Sequence, residues 1–96
     1  MKLLEQEIQK KLKELSGWEY KNEAIEREFS FADFDGAIQF VNKVAALADE
    51  ADHHPDIHIF YNKVNIVLST HDVGGVSEKD IALAAQISQF KRLTVQ

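Results

Sequence analysis

The sequence predicts a single α+β domain in the order α-β-β-α-β-β-α, with a four-stranded antiparallel sheet and its helices on one face. Three stretches carry apolar residues at helical spacing. Between them lie two pairs of short alternating runs, rich in β-branched and aromatic residues. The runs of each pair are so close that a tight turn must join them antiparallel. A chain of 96 residues has no room for a second core, so residues 1–96 are expected to form one domain.

Residues 2–15 read as a helix with Leu4, Ile8, Leu12 and Leu15 on one stripe, and Ser16-Gly17 ends it. Trp18 to Asn22 and Ala24 to Phe31 read as a hairpin turning at Asn22-Glu23. Ile25, Phe29 and Phe31 share one face of it, which Arg27 interrupts. Asp33 can cap a long helix reaching about Ala51, with Phe34, Ile38, Val41, Val44, Ala45 and Ala48 as its apolar stripe. Pro55 pushes His54 out of helical backbone, so this helix ends at a corner. A second hairpin follows, Ile57 to Tyr61 and Val64 to Thr70, with Asn62-Lys63 as the expected turn centre. Ser77 caps the last helix, which runs to about Phe90. Asp80 stands three residues on, as in a capping box, and Val76 with Ile81 has the spacing of a hydrophobic staple.

Composition narrows function. Hydrophobic content of 45% suits an ordinary soluble globule, and no apolar run approaches the ~20 residues of a membrane span. The N-terminus lacks a signal peptide's apolar core, so a cytoplasmic location is expected. The absence of cysteine removes disulfides and thiolate metal sites. A net charge of −5 argues against nucleic-acid binding. Asp49, Glu50, Asp52, Asp56 and Asp72 surround the histidines, so a neutral or cationic small substrate fits better than a phosphorylated one. Gly74-Gly75 reads as a turn, not as a phosphate loop.

The chemistry-bearing residues are the histidines. Imidazole is the side chain whose ordinary pKa lies nearest neutrality, so a cluster of them suggests proton transfer or metal binding. With the turn at 62–63, His71 falls opposite residue 54; with the turn one residue earlier, it falls opposite residue 52. Either register puts His53, His54 and His71 at the open end of one hairpin. His58 alternates with apolar strand residues and reads as a surface or interface residue. Asp80 is explained by capping alone, with a second role open. Trp18 reads as a packing residue.

The runs Asp52-His53-His54-Pro55-Asp56, Tyr61-Asn62-Lys63-Val64, Leu68-Ser69-Thr70-His71 and Gly75-Val76-Ser77-Glu78-Lys79-Asp80-Ile81 closely resemble the pterin-4a-carbinolamine dehydratases. The Gly17-Trp18 opening and Phe29-Ser30-Phe31-Ala32-Asp33-Phe34 resemble that family too. One departure is Ile57, where family members often carry an aromatic. The resemblance implies a dehydratase that converts 4a-hydroxytetrahydropterin to quinonoid dihydropterin and water, recycling the cofactor of aromatic amino-acid hydroxylases. It implies His53, His54 and His71 as catalytic residues, Asp52, Ser69, Thr70 and Asp72 as substrate contacts, and Asp80 as a supporting group. It implies no metal and no cofactor, since the pterin is the substrate, and a homodimer or homotetramer joined through its sheets. The alternative it carries is a non-catalytic dimerisation or coactivator module, since animal members also bind a homeodomain transcription factor. A metal enzyme using His53, His54, His58 and His71 is disfavoured, because adjacent histidines chelate one ion poorly and no His-Glu-x-x-His motif is present.

Overall fold

The computed structural model describes residues 1–93, with side chains through residue 90. Its elements are α1 (Glu5–Leu12), β1 (Glu19–Lys21), β2 (Ala24–Ser30), α2 (Phe34–Ala51), β3 (Asp56–Phe60), β4 (Lys63–Leu68) and α3 (Glu78–Leu93). This is the expected α-β-β-α-β-β-α order, and the strands form one antiparallel sheet in the order β1-β2-β4-β3. The two hairpins meet along β2 and β4, which pair from Ile25↔Leu68 to Ser30↔Lys63.

Strand alternation sorts the two sheet faces. Ile25, Phe29, Val64, Ile66 and Leu68 are buried and pack in one cluster with Ile8 and Leu12 of α1, Phe40 and Val44 of α2, and Leu83 and Ile87 of α3. The opposite face carries Glu28, Lys63 and His58, all exposed, so every helix lies on one side. Arg27 falls on the core face, as its parity requires. Its guanidinium stands 4.5 Å from the centroid of the Phe29 ring, and Nη1 donates to the Ser16 carbonyl at 2.8 Å. Burial lowers its pKa from the ordinary arginine value. The interruption in the apolar pattern is thus a tie between β2 and the end of the α1 turn.

Several boundaries differ from the sequence reading. The first helix is shorter than residues 2–15: Leu4 stays exposed while the Glu7 side chain accepts from its backbone N–H at 2.9 Å. Trp18 lies outside β1, buried, with Nε1 donating to Ser88 Oγ of α3 at 2.8 Å. The buried stripe of α2 is Ala37, Phe40, Val44 and Ala48, whereas Phe34 and Ala45 are exposed. Aromatic packing fixes that rotation, because Phe40 sits 4.7 Å from Phe29 and 5.0 Å from Phe31 between ring centroids. The second turn falls at Tyr61-Asn62, one residue earlier than its expected centre, giving Phe60↔Lys63 and Asp56↔Val67. Asn62 is held elsewhere: its amide donates to the Phe31 carbonyl at 3.0 Å and its carbonyl accepts from Phe31 N–H at 2.8 Å. Tyr61 therefore takes the left-handed position, at φ 53°.

Candidate active site

The site grows from the end of α2. Asp52 adopts left-handed backbone (φ 53°), and its N–H and that of His53 both turn back onto the last carbonyls of the helix. Aspartate is one of the few non-glycine residues that tolerate this conformation. The cap reverses the chain sharply, so His53 and His54 meet different surroundings. His53 is half-buried, and its Nε2 lies 2.5 Å from Asp80 Oδ1 on α3. His54 is exposed, with Nε2 2.9 Å from Asp49 Oδ1 on the last turn of α2. The corner thus separates the two histidines and gives each its own carboxylate.

His71 arrives from the other side. β4 ends at Leu68, and Thr70 bridges to Gly75 through two backbone hydrogen bonds. His71, Asp72 and Val73 form one short 3-10 turn inside that loop, closed by Gly74 at φ 68°. Asp80 contacts both His53 and Thr70, the residue before His71. The histidine corner and the Thr70-His71 turn therefore meet through Asp80. His71 sits on a loop rather than on a strand, and its side chain is exposed with no hydrogen-bond partner among the described residues.

Asp80 links these pieces. It is fully buried, and Oδ2 accepts from Thr70 Oγ1 at 2.8 Å and from Ser77 N–H at 2.9 Å. The second bond is the reciprocal half of the capping box read from the sequence. The second role left open for Asp80 is the bond of Oδ1 to His53. A carboxylate locked at three points is a rigid mount for an imidazole, and removing it would leave buried donors without partners.

The other candidate residues fall at the rim. Asp52 and Asp72 are exposed and Ser69 is half-buried. Thr70 is nearly buried, and its hydroxyl is engaged by Asp80 and by Ser77 Oγ at 2.7 Å. A recess of about 480 Å³ beside the His71 turn is lined by Thr70, Asp72, Val73 and Ser77, with Lys2 and Leu3 of the N-terminal segment across it. A larger cleft, about 1030 Å³, opens between α1 and α3, but no histidine lines it. We place the site at the histidine corner because the groups suited to proton transfer are there. Among the described residues no three His, Asp or Glu side chains converge to hold a metal ion. The sequence reading missed Asp49 as the partner of His54 and Ser77 as a member of the Asp80 network. The capping-box spacing was the one visible signal for the latter.

The family model for pterin 4 alpha carbinolamine dehydratase matches residues 1–90. The chain belongs to that family. A relative bearing the family's name from Sulfolobus acidocaldarius is 46% identical over 91 residues, covering 95% of this chain and all of that one. Another from Gloeobacter violaceus is 52% identical over 90 residues, 90% of this chain and 98% of its own. The crystal structure of a transcriptional coactivator/pterin dehydratase from Brucella melitensis superposes with a TM-score of 0.89 at 38% identity, over 93% of this chain and 97% of that chain. A pterin dehydratase-like protein described as a RuBisCO assembly factor in the alpha-carboxysome has a TM-score of 0.62 at 26% identity, over 75% and 83% of the two chains. The histidine corner and the Thr-His turn both lie inside the matched region. No helix among the described residues is long and apolar enough to cross a membrane.

Proposed function

We propose that the protein is a 4a-hydroxytetrahydropterin dehydratase that forms quinonoid dihydropterin and water in tetrahydropterin recycling. The observation that carries this reading is the His53–Asp80 pair, half-buried beside the His71 turn in a chain of this family. Dehydrating a carbinolamine needs two proton movements. A proton must reach the leaving hydroxyl, and another must leave the ring nitrogen whose lone pair expels it. Groups that exchange protons near neutrality serve both, typically contributing ~10²–10⁴-fold. His53, His54 and His71 fill these roles, with Asp52, Ser69 and Asp72 at the rim as substrate contacts. Neither a metal nor a cofactor takes part in the proposed reaction. The acidic rim suits an uncharged pterin in a cytoplasmic enzyme.

The same reading includes self-association. The outer strand β3 ends in Ile59 and Phe60, and Tyr61 follows in the turn; they are 39%, 60% and 67% exposed. An open strand edge beside exposed apolar side chains favours pairing with a second copy, as a dimer or tetramer. The coactivator and assembly-factor descriptions of two structural relatives support a second, protein-binding role as the alternative reading. The test is the decay of freshly generated 4a-hydroxytetrahydropterin, followed by absorbance with and without the protein. Catalytic acceleration supports the dehydratase, and an uncatalysed rate at micromolar protein favours the binding role.

A further inference from the structure

The hydroxyls of Thr70 and Ser77 form a relay whose direction is fixed by counting hydrogens. Thr70 has one hydroxyl hydrogen, and it goes to Asp80 Oδ2 at 2.8 Å. The 2.7 Å contact between Thr70 Oγ1 and Ser77 Oγ must then be a bond donated by Ser77. The donors run from Ser77 to Thr70 to Asp80. Asp80 accepts at every contact, as a carboxylate does, so the hydrogen on its Oδ1 contact belongs to His53 Nε2. A neutral imidazole carries one N–H, which leaves the lone pair on His53 Nδ1. No buried side-chain nitrogen or oxygen among the described residues lacks a hydrogen-bond partner. Nδ1 has no such partner, and it therefore reaches the surface.

We propose that Thr70 and Ser77 are positioning residues: their relay locks Asp80, Asp80 holds His53 as the Nε2–H tautomer, and Nδ1 is the atom that takes the proton from the pterin ring nitrogen. The assignment of the substrate rests on the dehydratase reading; the tautomer does not. In the step, the ring N–H proton moves to Nδ1 and the freed electron pair forms the new C=N bond. The C–O bond breaks, and the hydroxyl leaves as water with a proton from a second, protonated histidine. His53 then returns its proton to solvent, and the second histidine takes one up, so both are regenerated. Thr70 thus works through Asp80 rather than by a side-chain contact with substrate.

The experiment pairs nitrogen-15 NMR of the His53 ring with turnover of 4a-hydroxytetrahydropterin, using the full chain. Wild type should show the Nε2–H tautomer. Thr70→Val should blur that preference and lower kcat by roughly 10-fold with KM nearly unchanged, and Thr70→Ser should restore both. Ser77→Ala keeps the Ser77 backbone bond to Asp80, so it should give a smaller loss, about 3-fold, in the same direction. It decides the matter if Thr70→Val does not fold. A wild-type Nδ1–H tautomer, or folded variants with unchanged tautomer and kcat, would overturn the proposal. If wild type does not turn over the pterin, the dehydratase reading fails by itself, and the spectra alone judge the relay.

Discussion

Asp80 follows His53 by 27 residues in the chain, yet its Oδ1 stands 2.5 Å from His53 Nε2. The same carboxylate caps α3 through Ser77 N–H. One side chain therefore anchors a helix and orients an imidazole, and its two oxygens divide the work.

That division separates two substitutions. Asp80→Ala removes the cap and strands buried donors, and should cost about 2–4 kcal/mol in urea unfolding. Asp80→Asn keeps an acceptor for the start of α3 and should lose less stability. It should still lower turnover by roughly 10²-fold, because an amide does not hold the histidine as a carboxylate does. Wild-type turnover in Asp80→Asn would remove Asp80 from the site.

His71→Ala should fold normally, since the residue is exposed on a loop and no hydrogen bond among the described residues depends on its ring. Its dehydration rate should fall by roughly 10²-fold or more. His58→Ala, on the outer face of β3, should match wild type. The reverse pattern would mean that the site has been placed on the wrong histidines.

The turn at Asn22-Glu23 holds both residues at positive φ, 56° and 63°. Asparagine accepts that backbone readily and glutamate does not. Glu23→Gly should therefore raise stability by about 0.5–1 kcal/mol in a urea titration. It also deletes the Lys2–Glu23 ion pair, whose side chains are both about half exposed or more, so little is lost there. A destabilised variant would show that the Glu23 side chain's contacts with Lys2 and Tyr20 matter more than the backbone.

Much of this architecture was legible because local chemistry agreed with the final packing. Asp33 accepts from Gly36 N–H at 2.8 Å, the helix cap its sequence position implied. Ser77 and Asp80 close their box, and the Asn22-Glu23 turn falls where it was read. The misreadings came from long-range contacts. Spacing alone allowed Phe34 to start the α2 stripe, but Phe29 and Phe31 draw Phe40 inward and leave Phe34 exposed. Asn62 has the chemistry of a turn centre, yet its bonds to Phe31, thirty-one residues away, move the turn back by one. At the site, the family motif pointed to Thr70, while its engagement by Asp80 and Ser77 depends on how the 70–77 loop folds against α3.

The β3 edge offers a separate test. Wild type should scatter light as a dimer or tetramer at micromolar concentration. Replacing the exposed Phe60 and Tyr61 with lysine should shift it toward monomer without unfolding it, because neither side chain belongs to the core. A wild-type monomer would contradict the proposed self-association.

The most direct measurement is the decay of 4a-hydroxytetrahydropterin with wild type and with His53→Ala side by side. Wild type should accelerate the decay catalytically, and His53→Ala, shown to be folded by circular dichroism, should lose roughly 10²-fold or more of that acceleration. A folded His53→Ala protein as fast as wild type would contradict the assignment of proton transfer to the His53–Asp80 pair.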